Sequence, residues 1–144
     1  MNIEINMQPQ STQKKSLCLK KEFPLKDLTE QIISCAIEVR KILGPGLFES
    51  VYEEALAYEF QLRRISSERQ KEIELKYKSN EIGKHRIDFL VKSLVIVEIK
   101  AVASINKIHE AQILTYLKAM DKRIGLLLNF NEERLKTGIK RFIV

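Results

Sequence analysis

The fold is decided by residues 94–101, which read Leu94-Val95-Ile96-Val97-Glu98-Ile99-Lys100-Ala101. Apart from Glu98 and Lys100, every residue of this stretch is apolar, which is typical of a central strand buried on both faces. Successive side chains of a strand point to opposite faces of the sheet. Glu98 and Lys100 are therefore expected on one face, with Val95, Val97 and Ile99 on the other.

Two more strands are predicted on the N-terminal side of this stretch, over residues 73–77 and 84–91. Apolar and polar residues alternate in both, as they do in strands with one exposed face. The alternation in the second strand places Asp88 on the face opposite to Ile87 and Phe89. A short polar turn follows each strand, so consecutive strands are expected to pair antiparallel.

Three helices are predicted around these strands. Apolar residues recur at helical spacing over 27–43 and again over 48–64, and the turn Gly44-Pro45-Gly46 separates the two segments. The third helix is predicted over 104–120, with Ser104 as its N-cap. The helical crossover after residue 101 favours a parallel neighbour for the central strand.

The remaining segments complete an α/β fold with a mixed sheet flanked by helices. Residues 124–130 form a second buried apolar stretch, and residues 139–144 alternate like a last edge strand. Residues 1–22 are polar and show no sustained period, which is typical of a flexible basic arm. We therefore expect one domain over residues 23–144.

Composition narrows the class of protein. The 144 residues carry a net charge of +6, which is compatible with a polyanionic partner such as nucleic acid. The N-terminus has no apolar signal region, and the apolar runs are too short to span a bilayer. The sequence therefore predicts a cytoplasmic protein that has no membrane association.

The three charged residues of the predicted sheet centre form a candidate site. The turn after residue 91 brings the strand of Asp88 beside the strand of Glu98 and Lys100. Because burying a charge without a partner costs on the order of several kcal/mol, these charges must pair with each other, with another group or with a metal. Two carboxylates and an ammonium group suit phosphodiester hydrolysis, because carboxylates bind Mg²⁺ and a lysine assists the attacking water. The alternative is a structural ion pair between Glu98 and Lys100.

Two helix motifs make the sequence recognisable. One is the G-x-x-E-x-x-Y pattern of Gly46-Leu47-Phe48-Glu49-Ser50-Val51-Tyr52, and the other is the Q-x-x-x-Y pattern of Gln112 and Tyr116. Over residues 27–144 the chain resembles the GxxExxY protein family, which is similar to the RecB-like branch of the PD-(D/E)XK nuclease superfamily. The resemblance implies a restriction-endonuclease-like αβββαβ core.

The resemblance also implies roles for individual residues. Asp88, Glu98 and the Ile99 carbonyl would bind Mg²⁺ or Mn²⁺, and Glu49 would complete or tune the metal site. Lys100 would be the catalytic lysine. Taken alone, Glu49 is more often a helix-capping acid than a ligand.

The remaining implied roles concern the substrate. Gln112 and Tyr116 would orient the site or the nucleic acid, whereas alone they are more often helix-surface groups packed under a strand. The function implied is a Mg²⁺-dependent nuclease that acts on nucleic acid, with DNA as the first candidate substrate and RNA left open. The alternative is a catalytically silent nucleic-acid-binding or assembly module, in which a homo-oligomer or a partner protein supplies the specificity.

Overall fold

Residues 25–144 are described by a computed structural model, in which five strands form one sheet flanked by three helices. The basic arm predicted over residues 1–22 lies outside the described residues. Within residues 25–144, no helix is both long and apolar enough to cross a membrane.

The described helices and strands follow the predicted order. They are α1 (25–43), α2 (Glu49–Leu62), β1 (Ser67–Tyr77), β2 (Asn80–Val91), β3 (Val95–Lys100), α3 (Lys107–Met120), β4 (Ile124–Asn129), a 3₁₀ turn (Leu135–Gly138) and β5 (Ile139–Ile143). The last edge strand predicted from the alternation of the tail is confirmed as β5.

The sheet is mixed, as predicted. Its strands lie in the order β1-β2-β3-β4-β5. Only the β3–β4 pair is parallel, and α3 provides its crossover, whereas the other three pairs are antiparallel. The α/β class and the mixed, helix-flanked sheet inferred from the sequence are therefore confirmed.

Two tight turns set the antiparallel register of the first three strands. Lys78 and Ser79 connect β1 to β2, and Lys92, Ser93 and Leu94 connect β2 to β3. Lys78, Ser79, Lys92 and Ser93 have a left-handed backbone, with φ between 49° and 68°. Two consecutive left-handed residues form the type I′ turn of the two-residue hairpin between β1 and β2. The three-residue turn between β2 and β3 is closed by a hydrogen bond from the Leu94 backbone N–H to the Val91 carbonyl at 2.9 Å.

The sheet separates two apolar clusters. One cluster lies between the sheet and α1 and α2, and it includes Val95, Val97 and Ile99 of β3. The other lies between the sheet and α3, and it includes Ile96 together with Leu117. β3 is thus buried on both faces, as its continuous apolar sequence predicts.

The predicted alternation of β2 is wrong at one point. Ile87 packs in the α3 cluster, whereas Phe89 packs in the α1–α2 cluster, so the two do not share a face. The physical reason lies in β1, where Gln70 has a left-handed backbone with φ of 52°. The backbone pairing between β1 and β2 skips Gln70 and Asp88. The regular alternation of side-chain directions along the two strands is interrupted at that point.

The predicted N-cap of the third helix is also wrong. The helix begins at Lys107, and its cap is Asn106 in place of Ser104. The Asn106 side chain accepts a hydrogen bond from the His109 backbone at 3.0 Å, and the His109 ring accepts one from the Asn106 backbone at 3.3 Å. This reciprocal capping box satisfies two backbone donors, which Ser104 would not do from its earlier position.

Candidate active site

Asp88 and Glu98 lie side by side where β2 and β3 separate. The backbone pairing of the two strands ends at Phe89 and Val97. Beyond that point the Asp88 backbone N–H donates to Glu98 Oε1 at 3.1 Å, and the Ile99 backbone N–H donates to Asp88 Oδ2 at 2.7 Å. The two carboxyl groups thus accept hydrogen bonds from backbone N–H groups that lie beyond the last paired residues, which holds them in the gap between the strands.

Both carboxyl groups are harder to ionise than a free carboxyl. Glu98 is 6% exposed, and its burial together with the negative charge of Asp88 raises its pKa to about 8. Burial and the charge of the nearby Glu53 raise the pKa of Asp88 to about 6. The site therefore holds two desolvated acids that a positive charge would stabilise in their ionised form.

Lys100 shares this cleft and is half-buried. Its positive charge acts on Glu98 and opposes the rise in the pKa of that residue. Among residues 25–144, however, no salt bridge within 4.0 Å includes Lys100. The alternative of a close structural ion pair between Glu98 and Lys100 is therefore not what the structure shows.

The cleft that contains these residues has a volume of about 320 Å³. Its lining comes from α2 and from the first three strands, namely Glu49, Ser50, Glu53, Gln70, Asp88, Glu98, Ile99 and Lys100. The structure thus brings together five residues that the sequence predicts for the site: Asp88, Glu98, Ile99, Lys100 and Glu49.

Three residues of this lining, namely Ser50, Glu53 and Gln70, were missed by sequence reasoning. Glu53 lies one helical turn after Glu49, and it is the α2 acid whose charge acts on Asp88. The four-residue spacing, which puts both acids on one face of α2, would have been the signal for it. For Gln70, which bonds to Glu53 and Asp88, no sequence signal exists, because nothing marks a glutamine as left-handed.

The tyrosine of the G-x-x-E-x-x-Y motif has a structural role. Tyr52 is fully buried and stacks on Phe130 at 4.6 Å between ring centroids. Its hydroxyl donates to the Gly44 carbonyl at 2.6 Å and accepts from the Leu47 backbone N–H at 3.2 Å. Tyr52 therefore fastens the loop before α2 and so sets where Glu49 begins that helix.

Gln112 and Tyr116 lie outside the lining of this cleft. They belong to α3, on the opposite side of the sheet from α2. Tyr116 is buried, and its hydroxyl lies 3.0 Å from Nδ1 of His85. Burial first, and then the charges of Glu98 and Asp88, raise the pKa of Tyr116, so this tyrosine lies within electrostatic range of the site.

The donor set fits a hydrated divalent cation. Asp88 and Glu98 offer carboxylate oxygens, and the backbone of Ile99 lines the same cleft. Within the described part of the chain, no group of three or more histidine, cysteine, aspartate or glutamate side chains is arranged to hold a metal. Mg²⁺ does not need one, because it binds through one or two carboxylates and keeps several waters.

Comparison with known proteins agrees with this geometry. A family model of the PD-(D/E)XK nuclease superfamily matches residues 26–142, which include α2, α3, the first four strands and all but the last residue of β5. No curated protein and no solved structure matches the chain. The mixed five-stranded sheet with its helices is consistent with the restriction-endonuclease-like fold of that superfamily. The chain belongs to the PD-(D/E)XK nuclease superfamily.

Proposed function

We propose that the protein is a Mg²⁺- or Mn²⁺-dependent nuclease that hydrolyses phosphodiester bonds of nucleic acid, with DNA as the preferred substrate. The observation that carries the proposal is the pair Asp88 and Glu98, two desolvated carboxyl groups joined to neighbouring backbone atoms beside Lys100. Within the superfamily we assign the chain to the GxxExxY family and to the RecB-like branch.

Each residue of the cleft receives a role in this proposal. Asp88, Glu98 and the Ile99 carbonyl hold the cation, with Glu49 completing or tuning the set. A bound divalent cation supplies charge neutralisation at the scissile phosphate and acidifies water. The Lys100 ammonium orients the attacking water and stabilises negative charge that develops on the phosphate.

The substrate is expected to approach across the open side of the cleft. Water adds to phosphorus, the bond to one ester oxygen breaks, and that oxygen leaves with a proton as a hydroxyl group. Gln112 and Tyr116 are proposed to orient the site from α3. Tyr116 is the link to the site in this proposal, because the charges of Glu98 and Asp88 act on its hydroxyl group.

A cleavage assay tests the proposal. Single- and double-stranded DNA are incubated with purified protein and Mg²⁺ or Mn²⁺, and Lys100→Ala is compared with Lys118→Ala, which removes an exposed lysine of α3. We expect cleavage by the wild type and by Lys118→Ala, and a rate about 100-fold lower for Lys100→Ala. Absence of cleavage, or an equal rate in all three proteins, would refute the nuclease proposal.

The second candidate function is a catalytically silent binding or assembly module. It is favoured by an apolar rim beside the cleft, where Phe48 is 82% exposed and Val51 is 41% exposed, next to Glu49. Such side chains suit a second copy of the chain or a partner protein. Nucleic-acid binding that needs no metal and survives Glu98→Gln would favour this module over the enzyme.

A further inference from the structure

Gln70 has a backbone conformation that is unusual for its place in β1. Its φ is 52°, within the left-handed region, although it is not a glycine and lies inside a strand. A non-glycine residue pays for that conformation, and such strain persists only where surrounding contacts hold it. The contacts of the Gln70 side chain must therefore stabilise this backbone conformation.

The left-handed backbone lets two consecutive residues reach the same acid. Neighbouring side chains of a regular strand point to opposite faces of the sheet. Here Arg69 donates to Glu53 Oε2, with distances of 2.9 Å from Nε and 2.8 Å from Nη2. Gln70 donates to the other oxygen of the same carboxylate, Glu53 Oε1. The break in alternation thus couples β1 to α2 through Glu53.

The same amide group of Gln70 also reaches the centre of the site. Its Nε2 lies 3.2 Å from Asp88 Oδ1, directly across the interrupted pairing of β1 and β2. The other oxygen, Asp88 Oδ2, accepts from the Ile99 backbone at 2.7 Å. Both oxygens of Asp88 are therefore held, and the rotation of its carboxyl group is fixed from two sides.

The amide also stands between two like charges. The charge of Glu53 acts on Asp88, and each of the two residues accepts a hydrogen bond from Gln70 Nε2. A hydrogen-bond donor between two carboxylates opposes their mutual repulsion, because a hydrogen bond to the ionised form favours that form. Without the amide, the Ile99 backbone N–H would hold the Asp88 carboxyl group from one side alone.

We propose that Gln70 is a positioning residue that fixes the orientation of the Asp88 carboxylate through its side-chain amide, at the expense of backbone strain. This inference rests on the proposed function, since it concerns the same cleft. Outer partners that orient a metal ligand typically change metal affinity or activity 10- to 100-fold when they are removed. We expect an effect of about that size from loss of the amide.

A matched pair of variants separates the amide from the backbone. Gln70→Ala and Gln70→Gly both remove the amide, but only glycine adopts the left-handed backbone without strain. We expect both variants to bind Mn²⁺ about 10-fold more weakly than the wild type. We also expect Gln70→Gly to have a Tm at or above that of Gln70→Ala. Gln61→Ala, which removes an exposed glutamine of α2, should change neither quantity.

The readouts are isothermal titration with Mn²⁺, thermal unfolding without metal, and the DNA cleavage rate. If Mn²⁺ affinity follows Tm, so that Gln70→Gly behaves as the wild type and Gln70→Ala does not, Gln70 acts through the fold and the inference is overturned. If the wild type binds and cleaves while both variants match it, the inference fails and the nuclease proposal stands. If the wild type neither binds nor cleaves, both fail.

Discussion

At the scale of single residues, Asp88 and Glu98 show how burial outweighs hydrogen bonding. Each carboxyl group accepts one backbone N–H, which by itself would favour the ionised form. Desolvation is nevertheless the largest influence on both, and it raises both pKa values. The metal-free protein therefore bears an electrostatic cost that a cation in the cleft would relieve.

This cost predicts a pH dependence of stability. The ordinary pKa of Glu98 is 4.5, and burial beside Asp88 raises it to about 8 in the folded protein. Between these values the folded state holds a proton that the unfolded chain has released, so the free energy of unfolding falls as the pH rises. We expect Glu98 to contribute a loss on the order of 3 kcal/mol between pH 5.5 and pH 8.

Urea unfolding at several pH values measures this effect, with Glu98→Gln as the comparison. The glutamine keeps the shape of the side chain but cannot titrate, so the fall in stability should be smaller by the amount that Glu98 contributes. Titrating groups remote from the site are common to both proteins and cancel in the difference, whereas Asp88 interacts with Glu98, so the difference reports the titration of this pair. Identical slopes for the wild type and Glu98→Gln would contradict the predicted direction of the pKa shift.

At the scale of elements, the segment after β3 is held by one buried side chain. Asn129, at the end of β4, accepts from the Val102 backbone N–H at 3.1 Å and donates to the Val102 carbonyl at 2.9 Å. The chain leaving Lys100 is thereby tied to the neighbouring strand before it reaches α3. The position of Asn129 itself depends on close packing against Gly138, in the 3₁₀ turn before β5.

Gly138 gives a stability prediction at this scale. A Cβ added there would lie 2.5 Å from the Asn129 carbonyl oxygen, and a backbone atom of a central strand has no room to move. We expect Gly138→Ala to lower the free energy of unfolding by about 2 kcal/mol or more, because overpacking at a backbone contact forces a shift of the chain.

The control for this prediction is Gly83→Ala in β2. A Cβ at Gly83 would meet no atom within 4 Å, so its effect should stay within about 0.5 kcal/mol. Chemical denaturation of the three proteins at one pH gives the comparison. Equal stability of Gly138→Ala and Gly83→Ala would show that β4 and the 3₁₀ turn are not packed as described.

At the scale of the whole molecule, periodicity predicted most of the fold. The stretch of β3 is apolar except for Glu98 and Lys100, which lie two residues apart. This pattern was enough to predict a buried central strand. The short turn at Lys92 and Ser93 was enough to bring Asp88 beside Glu98. Both inferences depend only on the period of a strand and the length of a turn, which a single sequence displays.

What sequence could not predict arises from contacts between elements. The left-handed backbone of Gln70 is held by Glu53 and Asp88, which belong to α2 and β2. Likewise, Asn106 and not Ser104 caps α3, although both residues are suited to an N-cap. Local propensity allows either residue at either place, so only the assembled fold decides.

The central proposal is that the cleft of the folded protein binds a divalent cation through Asp88 and Glu98 for catalysis. Calorimetric titration with Mn²⁺ tests it most directly, using the wild type, Glu98→Gln and Lys100→Ala. We predict saturable binding by the wild type and by Lys100→Ala, and binding weakened at least about 10-fold in Glu98→Gln. Equal affinity in the wild type and Glu98→Gln, or no binding by the wild type, would contradict the proposal.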